Sequence, residues 1–192
     1  MPLMKAEKKL YPLPTKDDLK DFLFAQVNPA RRWGVFVRAY PPAIVHLHVH
    51  KFGTHERYRL QLPWTAFIVT LRFGAGINFG FAYMGFSMER PAIKSRVHVP
   101  RLPNVANDGW ACMGKGHRPW SQASVKRYVD NLFRDFWIRP FTRELGYDEC
   151  YLTMWAKSTA AGEKMRFPLN MHLASLIERA RVRSGLYFTE DP

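Results

Sequence analysis

Cys112 is one of only two cysteines in the 192-residue chain, and Lys115, His117 and Arg118 follow it within six residues. The thiolate is the reactive form of cysteine and forms more readily beside cations, so this neighbourhood suits a nucleophile. His117 is the imidazole best placed by sequence to support a thiolate. Asn104, eight residues upstream, supplies an amide donor that would steady the intervening loop. The opposing reading is a buried, inert thiol, the common fate of a free cysteine. Cys150 has no comparable neighbours and reads as structural.

A second constellation is His46, His48 and His50. Alternation along a strand puts all three on one face, and His55 returns across a turn at 53–54, so metal ligation is a geometric candidate. No cysteine or aspartate completes a recognised spacing, and Glu56 is the one nearby carboxylate. The plainer reading is a polar strand face turned to solvent or a partner, with no metal and no cofactor. Phe67, Phe73, Phe79, Phe81, Tyr83 and Phe86 recur at strand spacing and read as core before they read as a base-stacking platform.

The elements that must position these residues follow from period and punctuation. Thr15 with Asp18 forms a capping-box pattern, and Leu19, Phe22 and Leu23 share a helical face, predicting a helix over 16–25. Six strands are expected at 35–37, 44–50, 58–62, 67–73, 79–88 and 96–99. They are separated by Pro41-Pro42, Gly53, Pro63, Gly74 to Gly76 and Pro91. Their connections are too short for crossovers, so the pairing should be antiparallel. After Cys112 the period turns helical: Val125, Val129, Leu132 and Phe136 align behind a cap at Ser121 or Ser124, and Pro140 stops or kinks the helix. Residues 148–166 read as helix then loop, and a last helix is expected from Pro168 to Gly185. The fold class is α+β, an antiparallel β meander flanked by helices. The organisation is residues 1–62 with the first helix and additional strands, then 63–192 as the core with C-terminal helices, the two forming either separate units or one continuous domain.

Composition bounds the class of protein. A chain that is 47% hydrophobic and 15% aromatic is too apolar for disorder. Two cysteines make no disulfide framework and point to a reducing compartment. The absence of an 18-residue apolar run argues against a membrane. The expected location is cytoplasmic, or inside a macromolecular assembly such as a virion. The formal charge of +13 attracts polyanions, so nucleic acid, an acidic partner or a phosphate-rich assembly all fit. The basic residues are scattered, with no block of five or six.

The spacing around Cys112 carries a resemblance. Pro103-Asn104, then Cys112, then Trp120-Ser121-Gln122-Ala123 resembles the active-site region of ubiquitin-conjugating enzymes. In that family a His-Pro-Asn tripeptide precedes the catalytic cysteine, and Trp-Ser-Pro-Ala opens the next helix. Pro91 stands where the family often has the first residue of a Pro-Pro pair. The match spans roughly 64–138, and the strands from 33 to 62 have no counterpart in the minimal family fold. The run Leu102-Pro103-Asn104-Val105 with Asp108-Gly109-Trp110-Ala111-Cys112-Met113-Gly114 is similar to prokaryotic ubiquitin-conjugating-like proteins, including those of PRTRC plasmid cassettes. Such cassettes also encode a ThiF-type activating enzyme, a ubiquitin-like protein and a JAB-type metallopeptidase.

The resemblance implies a thioester on Cys112 and an oxyanion-stabilising amide at Asn104. It also implies a later acidic residue that orients the attacking amine, for which Glu144, Asp148 and Glu149 remain alternatives. Leu102 replaces the family's histidine, which mainly braces the loop, and Gly114 to His117 replace the usual apolar run after the cysteine. Three functions follow as expectations. One is a carrier that takes a ubiquitin-like protein from a ThiF-like enzyme and passes it to an amine. Another is a catalytically silent module of the same fold among the subunits of a phage- or plasmid-encoded assembly. The third is a basic nucleic-acid-associated protein.

Overall fold

The computed structural model describes residues 10–51, 54–114, 124–138 and 148–184. Its first helix, α1, spans Lys16–Leu19 and carries the expected capping box between Thr15 and Asp18. It stops well short of residue 25, because Leu23 N–H bonds Val37 C=O at 2.8 Å and the chain enters strand β1, Phe24–Asn28. Phe22 turns edge-on to Phe36, with ring centroids 5.5 Å apart. The apolar residues that suggested a longer helix are therefore used in the sheet.

The architecture is α+β and antiparallel. Strands β2 (Trp33–Tyr40), β3 (Ala43–Lys51), β4 (Thr54–Leu62) and β5 (Trp64–Phe73) form one long hairpin. Tyr40 pairs with Thr65 below the proline break, and Ala43 pairs with Leu62 above it. Both strands advance by three residues across the break, so the register passes through it unchanged. Proline offers no N–H to a ladder, and Pro41-Pro42 opposite Pro63 therefore divides the hairpin in two. The lower half joins β1 and β6 (Ile77–Ser87) in the main sheet. The upper half, β3 with β4, is a separate arm. This departs from a simple meander, in which β3 and β4 would lie within a single sheet.

Short strands complete the frame: β7 (Arg96–Val97), β8 (Trp110–Ala111) and β9 (Met171–His172), with main-sheet order β1-β2-β5-β6-β8. Helix α2 is Val125–Ile138, α3 is Glu149–Ala160 and α4 is Leu173–Arg183. Ser124 Oγ accepts from Arg127 N–H, which makes it the cap of α2. The last helix opens five residues later than Pro168, because 168–172 run extended: Asn170 N–H bonds Val97 C=O and β9 pairs with β7. The expected stops at Pro140 and Gly185 lie outside the described residues.

Both faces of the main sheet are covered. Phe67 of β5 meets Phe133 of α2 at 5.4 Å between centroids. Gly85 of β6 pairs with Ala66, the neighbour of Phe67, and lies against Leu176 of α4. Successive strand residues face opposite ways, so α2 and α4 sit on opposite sides. Helix α3 closes the edge of β4, where Trp155 Nε1 donates to Gln61 C=O at 3.1 Å and Gln61 N–H donates to Thr159 Oγ1 at 3.0 Å. Burying a side chain the size of Trp155, 1% exposed, contributes about 3 kcal/mol. Among the described residues, no helix is long and apolar enough to cross a membrane.

Candidate functional site

The stretch from Asn104 to Cys112, irregular by sequence, folds as a tight hairpin. Gly109 N–H bonds Ala106 C=O at 2.9 Å, Ala106 N–H bonds Trp110 C=O at 2.8 Å, and Asp108 Oδ1 accepts from Trp110 N–H at 3.0 Å. Gly109 takes φ +88°, the left-handed geometry that glycine adopts without steric cost. Val105 and Ala111 form a bridge, and Cys112 N–H closes the mouth on Asn104 C=O at 2.7 Å. Asn104 and Cys112 thus stand opposite one another, a relation that brings Cα atoms to about 5.5 Å in a regular ladder. Asn104 itself has φ +66°, a conformation asparagine tolerates better than most residues.

The hairpin is held from three sides. Ala111 and Trp110 pair with Ala82 and Tyr83 of β6, and Met84 N–H bonds Gly109 C=O at 2.9 Å. Leu102 is fully buried, so packing braces this end of the loop. Helix α4 supplies two cations that sequence reading did not single out for the loop. Arg179 donates to Asp108 C=O at 3.4 Å, and the Arg183 guanidinium lies over Trp110 at 4.4 Å and over Phe81 at 5.3 Å. Such cation–π contacts contribute about 0.5–1 kcal/mol each at exposed positions. Cys112 is half-buried, neither sealed in the core nor fully open.

The other expected site residues are dispersed. Lys115, His117, Arg118, the 120–123 segment and Glu144 lie outside the described residues. Asp148 caps α3 through Tyr151 N–H at 2.9 Å and pairs with Arg101 at 3.6 Å; Glu149 is exposed in the first turn of the same helix. Cys150 is also exposed on α3, so it does no packing work and the structural reading of it fails.

His46, His48 and His50 do share one face, as alternation required. They are met across the ladder by Arg59, Arg57 and His55. Among the described residues, no group of three or more His, Cys, Asp or Glu is placed to hold a metal ion. Guanidinium groups opposite two of the histidines explain why this face makes a poor cation site.

One centre escaped the sequence entirely. His98 is 3% exposed, with Nδ1 2.8 Å from Pro168 C=O and Nε2 3.3 Å from the Tyr151 hydroxyl. A carbonyl can only accept, so Nδ1 carries the proton and Nε2 accepts from Tyr151. Burial holds the His98 pKa below the usual histidine value, against the Pro168 bond that raises it. Burial also pushes the Tyr151 hydroxyl well above its ordinary range. His98 bridges Phe86 while Ala111 pairs with Ala82. The two segments line the same edge of β6 four residues apart, about 13 Å at strand spacing, so this buried pair is separate from the Cys112 hairpin. No family model, curated protein or solved structure matches the chain.

Proposed function

We propose that the chain is a ubiquitin-conjugating-like carrier with Cys112 as its nucleophile. The observation that supports this reading is the 2.7 Å bond from Cys112 N–H to Asn104 C=O, which sets the two residues opposite each other at the mouth of one hairpin. In charging, the Cys112 thiolate attacks the C-terminal thioester of a ubiquitin-like protein held on a ThiF-like enzyme. A new thioester forms and the donor's thiolate leaves. In discharge, an amine attacks that thioester, an amide forms, the C–S bond breaks and the amine's proton passes to a base. In this reading the Asn104 side-chain amide donates to the oxyanion, and removal of one such donor costs about 10²–10³ in rate.

Leu102 fits this reading, since the family's histidine braces the loop and a fully buried leucine braces it by packing. The test is a charging assay with ATP, a ThiF-type enzyme and its ubiquitin-like protein. A thiol-sensitive adduct should form with the wild type and with Cys150→Ala, and vanish with Cys112→Ala. If no variant charges, the silent module of the same fold takes the place of the carrier.

A further inference from the structure

The outer face of the β3–β4 arm carries two arginines and four histidines with no part in Cys112 chemistry. Directly opposed residues share a face, which groups His46 with Arg59, His48 with Arg57 and His50 with His55. All are exposed except His48, which is half-buried. The one carboxylate of the two strands, Glu56, lies opposite Val49 on the other face and accepts the Tyr58 hydroxyl at 2.7 Å. Among the described residues of the two strands, no carboxylate lies on the outer face. Some cations elsewhere have carboxylate partners, such as Lys126 with Asp21, Arg101 with Asp148 and Arg181 with Glu178. Arg57 and Arg59 make no ion pair or side-chain hydrogen bond among the described residues.

We propose that this face of the arm binds the phosphate backbone of nucleic acid without regard to sequence. Alternate residues of a strand recur about every 6.7 Å. Phosphates that rise ~3.4 Å along the duplex axis lie farther apart through space because the backbone winds around that axis, so Arg57 and Arg59 are spaced to meet successive phosphates of one strand. The guanidinium fork suits phosphate oxygens, and the imidazoles beside it add N–H donors. Among the described residues, the face carries no Phe, Tyr or Trp, which favours backbone contact over base stacking. An acidic protein is the weaker match, because protein interfaces centre on apolar and aromatic anchors with few charges. Among the described residues, Ile44, 44% exposed, is the only large apolar residue on this face.

The test is titration of fluorescent mixed-sequence duplex DNA at several salt concentrations, with poly-glutamate as competitor. Arg57→Gln/Arg59→Gln should weaken binding at least about tenfold and lower the salt slope by roughly two. Both side chains are exposed, so the melting temperature should hold. Arg90→Gln/Lys94→Gln, exposed cations remote in sequence, and Cys112→Ala should keep wild-type affinity; the last makes this test independent of the proposed thioester. His46→Arg/His48→Arg should tighten binding several-fold, a gain that misfolding cannot mimic. Wild-type affinity in the Arg57/Arg59 variant, equal loss in the Arg90/Lys94 variant, or equal competition by poly-glutamate per charge would each overturn the proposal.

Discussion

Asn104 carries two demands that substitution can separate. Its backbone sits at φ +66° with C=O bound to Cys112, and its side chain is the proposed oxyanion donor. Asn104→Gly meets the backbone demand and loses the amide; Asn104→Ala loses both and adds about 1 kcal/mol of left-handed strain. Amine discharge should fall about 10²-fold in both variants while charging persists, and only the alanine variant should melt lower. His98 sets a second expectation. Its folded pKa lies below the unfolded value of about 6.5, so the unfolded chain binds more protons in that window. Stability should hold above pH 6.5 and fall as pH drops through the depressed folded value. His98→Gln should flatten that profile in urea titrations from pH 8 to 5. The Cys112–Asn104 relation was legible because both residues lie in one short segment. The His98 centre was not, because Tyr151 and Pro168 are far along the chain: β7–β9 pairing brings in Pro168, and the packing of α3 brings in Tyr151.

At the scale of elements, the Cys112 hairpin depends on its fit to α4. A Cβ at Gly109 would meet Leu176 Cδ2 at 2.7 Å and would sit at φ +88°. The leucine tip can move aside, but the backbone strain remains, so Gly109→Ala should cost about 1–3 kcal/mol, read as a lower denaturation midpoint with slower charging of Cys112. Strand positions were legible because alternation and proline punctuation are local. Their pairing was not: Pro41-Pro42 and Pro63 mark breaks, yet only the continued register from Tyr40–Thr65 to Ala43–Leu62 shows that one hairpin runs through them. Helix α1 and the start of α4 were overextended for a related reason. Phe22 to Phe24 and residues 168–172 have helix-compatible composition, and tertiary strand pairing overrides it.

Across the whole molecule, the two proposed activities occupy different elements: the Cys112 hairpin beside β6 and α4, and the outer face of the β3–β4 arm. The net charge of +13 suits polyanions without locating a site, and the location proposed above rests on the cross-strand register. Spacing likewise singled out Cys112 without its frame, and the structure holds its hairpin against β6, the buried Leu102 and α4. The central claim is that Cys112 carries the modifier. The most direct measurement is peptide mass mapping of the charged protein, beside a Cys112→Ser variant assayed with and without reductant. The account requires the modifier's C-terminus on the peptide holding Cys112 and a reductant-resistant oxyester in the serine variant. A modifier found on Cys150, or charging that survives unchanged in Cys112→Ala, would contradict it.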